Sequence, residues 1–268
     1  SNNLDEFFKV RYATVKRVAM NETSDKELGV HAKELLEEIT KEVILLQDES
    51  LKIIDSITKE LEKEQIFIVD EKTLLPEHEA FVNTYFYDKV RPALFTIILN
   101  DLEMFPQLKD DVAYLAVKMT LKEEDEKASG VEKFFSSRVY KEKIQYALIE
   151  LPTTLDRFIE LPQIGDKHYI IMLDDVIRFC LHKIFNIFNY ESLTANMIKI
   201  TRDAELDIDD DLSKSFIEKI STSVEDRRKG KPVRFVYDKM IDKDTLQFLF
   251  EKMGIAKTDC FAIAFGDT

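Results

Sequence analysis

The stretch Lys59–Phe81, KELEKEQIFIVDEKTLLPEHEAF, changes the hydrophobic period of the chain. Up to Leu61, apolar residues recur at threes and fours and so share one helical face. Ile66-Phe67-Ile68-Val69 is then a short β-rich run, and Pro76 opens a new helix at an early position, where its missing N–H costs nothing. A helical unit therefore gives way near Glu64 to one that mixes strands with helices.

Working back from the break, Leu28, Ala32, Leu35, Ile39, Val43, Leu46, Ser50, Ile53, Ile57 and Leu61 form the seam of one long helix, opened by the capping-box pattern Ser24-Asp25-Lys26-Glu27. Asn3-Leu4-Asp5-Glu6 repeats that pattern, and Leu4, Phe7, Phe8, Arg11, Val15, Val18 and Ala19 continue it as a first helix. Two helices cannot close a core, so either an upstream segment or a face of the next unit must cover them. Ser1 is not a methionine and the helical pattern begins almost at once, so a preceding segment is expected.

Working forward, Pro76–Val90 reads as a helix and Leu94–Leu99 as a strand. Further strands are expected at Ala113–Met119, Ile144–Leu151, Phe158–Leu161, Tyr169–Leu173, Met197–Ile208 and Val233–Tyr237, with helices at Asp174–Asn186, Leu212–Arg228 and Lys243–Met253. The charged run Lys122–Lys127 reads as an exposed hairpin tip. The expected fold class is α+β: a helical unit with long antiparallel helices over residues 1–64, then a mixed α+β unit over residues 65–268.

Composition bounds the function. Lys+Arg 38 against Asp+Glu 52 gives a formal net charge of −14 over 268 residues, which argues against a generally basic surface for nucleic acid. No run approaches the roughly 18 apolar residues of a membrane span. Cys180 and Cys260 are the only cysteines, and Cys180 sits in an apolar helical stretch, so a reducing, cytoplasmic setting is expected.

Few residues suggest chemistry. Asn3 reads as a helix N-cap, or as an amide placed at a helix amino terminus where it can hydrogen-bond a base edge. Asp207-Ile208-Asp209-Asp210-Asp211 mimics a calcium loop but has Leu212 where the sharp turn needs glycine. On a strand, Arg202 would share a face with Ile198, Ile200, Ala204, Leu206 and Ile208, so its guanidinium must be paired, by a carboxylate or else by a phosphate or a partner domain. His31, His78, His168 and His182 show no metal spacing, and with only Gly 6 in the chain no phosphate-cradling loop is present. Arg227-Arg228-Lys229-Gly230-Lys231 reads as a helix carboxyl-terminal charge cluster that could also grip a polyanion.

Ser1-Asn2-Asn3-Leu4-Asp5-Glu6-Phe7-Phe8-Lys9-Val10-Arg11 closely resembles a segment near the start of the histidine-phosphorylating polyphosphate kinases. Lys109–Val117, Tyr146–Pro152, Met172–Arg178, Lys199–Glu205 and Pro232–Tyr237 continue the resemblance in the family's order. It implies a helical amino-terminal domain and a head domain associated with dimer formation. It also implies a parent enzyme that reversibly moves the terminal phosphate of ATP onto polyphosphate through a phosphohistidine, with Mg2+. The resemblance makes Asn3 an ATP contact; it places the phosphorylated histidine and the magnesium ligands in carboxyl-terminal domains outside this chain. None of the four histidines inherits that role, and the isolated chain is expected to be inactive. The alternative is a non-catalytic oligomerisation or interaction module.

Overall fold

The break at Gln65 is a change of architecture. The computed structural model describes residues 2–20, 26–110, 112–122, 143–203, 232–255 and 260–263. The chain opens with α1 (Asn2–Phe7), passes through a π-helical turn (Phe8–Tyr12) into α2 (Ala13–Met20), and resumes in α3 (Lys26–Lys63). With 38 residues, α3 is about 57 Å long. Gln65, at φ 62°, takes the left-handed conformation that ends helices, and β1 (Ile66–Val69) follows immediately.

Next come α4 (Pro76–Tyr85), a second π-helical turn (Phe86–Val90) and α5 (Arg91–Ala93). The turn sits where Pro92 lacks the N–H that a regular helix needs, a common cause of such irregularities. The strands are β2 (Phe95–Ile98), β3 (Ala113–Leu121), β4 (Ile144–Glu150), β5 (Phe158–Ile164), β6 (Lys167–Met172), β7 (Tyr190–Arg202), β8 (Pro232–Asp238) and β9 (Cys260–Ile263). The remaining helices are α6 (Leu173–Phe179), α7 (Leu181–Ile184) and α8 (Lys243–Met253).

Two sheets result. One has the order β1-β6-β5, with β1 parallel to β6; the other has the order β2-β4-β3-β7-β8-β9, antiparallel except for β8 and β9. Leu115, Val117 and Ile149 pack with Ile159 and Ile171 of the smaller sheet and with Phe86 and Ile177, while Tyr114, Ala116, Leu148, Ile198 and Phe235 pack with Leu249 of α8. Both faces of β3 and β4 are thus covered, which is why these strands read as unbroken apolar runs rather than alternating ones.

The cover that the two amino-terminal helices require comes from strand β8: Phe8, Tyr12, Ala13 and Val43 form one cluster with Val233 and Val236. Beyond it, Ile44, Leu45, Leu46, Ile53, Ile54 and Ile57 of α3 stay between 46% and 60% exposed.

The α+β expectation agrees with this architecture, but several boundaries differ. Strand β7 starts at Tyr190 instead of Met197, because the polar Tyr190–Asn196 segment is held by backbone pairing with β3 and needs little apolar signal. The helix expected over Asp174–Asn186 is two pieces joined at Cys180, whose N–H is shared between Val176 and Ile177 carbonyls. Asn3 lies within the first turn of α1 rather than capping it. The short edge strand β9 has no counterpart in the sequence reading. The capping box at Ser24, the run Glu123–Lys127, the acidic segment Asp207–Asp211, the helix Leu212–Arg228 and the basic cluster Arg227–Lys231 lie outside the described residues.

Helix α8 closes on Gly254 at φ 63°, whose N–H donates to the Phe250 carbonyl. A Cβ there would meet nothing within 4 Å, so Gly254→Ala isolates the cost of the left-handed backbone. Urea unfolding should register a loss of about 1 kcal/mol.

Candidate functional site

Asn3 stands exposed on α1, and what distinguishes its position is how firmly that helix is tied down. Two residues on, Asp5 is only 7% exposed and holds two cations from the neighbouring strands. Its Oδ2 accepts from Lys199 Nζ at 2.8 Å, and its Oδ1 from Arg234 Nη1 at 2.9 Å. The Arg234 guanidinium also lies 4.7 Å from the centre of the Phe8 ring, and burial lowers its pKa against the pull of Asp5. Farther along the same helical segment, Lys16 Nζ donates to the Pro232 carbonyl at 3.0 Å, and Arg17 pairs with Asp203. Apolar packing of Phe8 and Tyr12 on β8 completes the joint.

Sequence positions about two hundred residues apart therefore meet at one joint: Lys199 is 194 residues from Asp5, and Arg234 is 229. The resembling segments Lys109–Val117, Tyr146–Pro152 and Lys199–Glu205 converge as well. Lys109 Nζ donates to Glu150 at 2.7 Å, and Arg202 Nη1 donates to the Leu108 carbonyl at 2.5 Å and pairs with Asp110 at 3.4 Å. Arg202 is thus partnered by a carboxylate and a carbonyl, the structural reading of that residue. Tyr114, buried beside Glu150, has its phenol pushed up to about 12 by burial.

Asp5, Lys199 and Arg234 escaped the sequence reading. Arg234 interrupts the apolar strand Val233-Phe235-Val236 just as Arg202 interrupts its own, so the same signal was present. Asp5 was hidden because an acid in the first turn of a helix is ordinary.

The histidines hold no nucleophile arrangement. His31 and His168 are exposed beside Glu34 and Glu160, His182 is exposed, and His78 is buried with Nε2 2.9 Å from the Pro162 carbonyl and its ring against Tyr169. Among the described residues there is no group of three or more His, Cys, Asp or Glu arranged to hold a metal ion. No helix is long and apolar enough to cross a membrane among those residues.

Comparison with known proteins gives this geometry a family. Residues 1–69 match the polyphosphate kinase N-terminal domain, and residues 77–265 match the polyphosphate kinase middle domain. The chain belongs to the polyphosphate kinase family. A polyphosphate kinase of Vibrio parahaemolyticus is 34% identical over 265 residues, covering 97% of this chain and 35% of the relative. One from Yersinia pestis is 33% identical, with 97% and 36% covered. The crystal structure of a polyphosphate kinase from Porphyromonas gingivalis superposes with a TM-score of 0.71 at 25% identity, over all of this chain and 34% of that one. The chain therefore spans about a third of the polyphosphate kinases it matches.

Chemically, the site is an exposed carboxamide on a helix locked to a sheet. An asparagine offers both a donor and an acceptor, the pairing that a purine edge presents. The nearby cations Lys199 and Arg234 are already engaged by Asp5.

Proposed function

We propose that this chain is the amino-terminal and head portion of a cytoplasmic enzyme that reversibly transfers the terminal phosphate of ATP to polyphosphate through a phosphohistidine, with the division near Glu64. In this reading Asn3 is one wall of the nucleotide pocket, and the head portion contributes homodimer contacts. The phosphorylated histidine and the residues that hold Mg2+ come from the remainder of the parent. Bound Mg2+ would neutralise charge on the moving phosphoryl group. The observation that carries the reading is the match of both family domains, in order, along a chain whose resembling segments meet at the Asp5 joint.

Magnitudes limit the isolated chain. One neutral hydrogen bond is worth roughly 0.5–1.5 kcal/mol, whereas micromolar binding needs about 8 kcal/mol. Asn3 alone cannot retain ATP, and a net charge of −14 disfavours a polyanion. Incubation with γ-labelled ATP and Mg2+ should leave this chain unlabelled and label the full-length parent. In that parent, Asn3→Ala should raise KM for ATP about two- to tenfold with kcat little changed. Label on the isolated chain would mean that a nucleophile lies within these residues.

A second reading, an interaction module without catalysis, is favoured by the half-exposed apolar residues along α3. It requires the full-length parent to remain unlabelled under the same conditions.

A further inference from the structure

A cleft of about 370 Å³ opens between the second half of α3, the loop after β1 and the start of α6. Its floor gathers more carboxyl groups than guanidinium groups. Asp174 and Asp175, with side chains 5% and 12% exposed, share one guanidinium: Arg178 Nη1 donates to Asp174 Oδ2 at 2.9 Å and to Asp175 Oδ1 at 2.5 Å, while Arg178 Nε donates to the Ala195 carbonyl. Glu71, from the loop after β1, lines the same cleft and adds a third carboxyl group that raises the Asp175 pKa. The other oxygen of Asp174, Oδ1, is buried with no hydrogen-bond partner among the described residues.

An unpartnered buried carboxylate oxygen is costly, and nothing on the walls answers it. Around the rim, Asp55, Asp70 and Asp238 outnumber Lys72 and Arg157. Asp70 is engaged by the Thr73 hydroxyl and by the backbone N–H groups of Lys72 and Thr73. Asp238 accepts from Asn196 and from the Met240 N–H, and Asp55 pairs with Lys59. Between these charges the walls are apolar: Leu51 and Ile54 from α3 face Met172, Met197 and Met240.

We infer that this cleft is a binding site for an aliphatic polyammonium ion, with an ammonium group seated against Asp174 and Asp175 and its methylene chain along the Leu51, Ile54 and methionine wall. The alternation of charge and hydrocarbon in such a ligand matches the alternation in the cleft. The wall of Leu51, Ile54 and the methionines offers nothing to a hydrated metal ion but packs against methylene groups, which favours an organic cation.

Binding carries a proton signature. Burial, then the Asp174 carboxylate, push Asp175 up to about 8 against the pull of Arg178, so the acid is largely protonated at pH 7. An ammonium group placed beside it favours the ionised form, so binding releases a proton to solvent and strengthens as pH rises from 6.5 to 7.5. The facing groups Glu71, Asp174 and Arg178 set the size of the effect.

The test is titration calorimetry of this chain with spermidine, in two buffers of different ionisation enthalpy. A single site is expected, releasing up to one proton per ligand at pH 7. Asp174→Asn should weaken binding at least about tenfold. Asp55→Lys, on an exposed part of α3, should also weaken it while leaving the buried floor and the fold intact; circular dichroism checks the fold of both variants. Absence of a saturable site, or equal affinity in wild type and Asp55→Lys at physiological salt, overturns the inference; the latter would mean diffuse attraction to an acidic chain.

Discussion

Asp5→Ala should loosen the amino-terminal helix from the sheet and cost about 2–4 kcal/mol, because it removes two charge-assisted hydrogen bonds made by one mostly buried carboxylate. Lys199 would lose the carboxylate that now meets it at 2.8 Å, and Arg234, 7% exposed in its side chain, would keep a guanidinium largely cut off from water. Hydrogen exchange should locate the loss. Protection should fall over residues 2–20 and along β8, yet persist in β3 and β4, whose core contains neither partner. Arg234→Met is the informative companion, because it removes the buried charge with its partner's excess left on Asp5, which retains Lys199; its cost should be smaller. If Asp5→Ala melts within about 1 kcal/mol of wild type, the joint is held by Phe8 and Tyr12 packing and by the Lys16 and Arg17 contacts rather than by Asp5.

The same variant bears on nucleotide binding in the full-length parent. A displaced α1 misplaces Asn3, so Asp5→Ala should raise KM for ATP by at least as much as Asn3→Ala, and Asp5→Glu should recover part of the loss.

How much of this was legible follows from how local each signal is. The long helix α3, the change to strand β1 after it and most strands of the larger sheet were readable, because period and proline position act over a few residues. Helix Lys243–Met253 was readable to the residue, since Asp242 precedes it and Gly254 stops it. The first half of β7 was not, since Tyr190, Ser192 and Thr194 are held in place by β3, a partner distant in sequence. The Asp5 joint was illegible for the same reason: each of its members is unremarkable alone, and only the fold brings residues 5, 199 and 234 together. Arg202 shows the intermediate case. Its need for a partner followed from the strand pattern, but that the partners are Leu108 and Asp110 did not.

Asp175→Asn should stabilise the protein at neutral pH by about 2–4 kcal/mol, an uncommon direction for a change at a buried position. In the unfolded chain an aspartate gives up its proton near 3.8, whereas in the folded chain burial and Asp174 hold the proton on Asp175 until about 8. Between those limits folding takes up a proton, so this group's contribution is fully present below the unfolded value and is lost as pH rises towards the folded one, by about 1.4 kcal/mol per pH unit. Asparagine keeps the shape of the protonated acid, and its oxygen can still accept from Arg178. It carries no proton to lose, so the penalty disappears. Urea unfolding at pH 5, 6.5 and 8 should show wild-type stability falling relative to Asp175→Asn across the series, with the two converging at the acid end. Parallel profiles would mean that Asp175 is ionised in the folded chain, with Arg178 outweighing both its burial and its acidic neighbours.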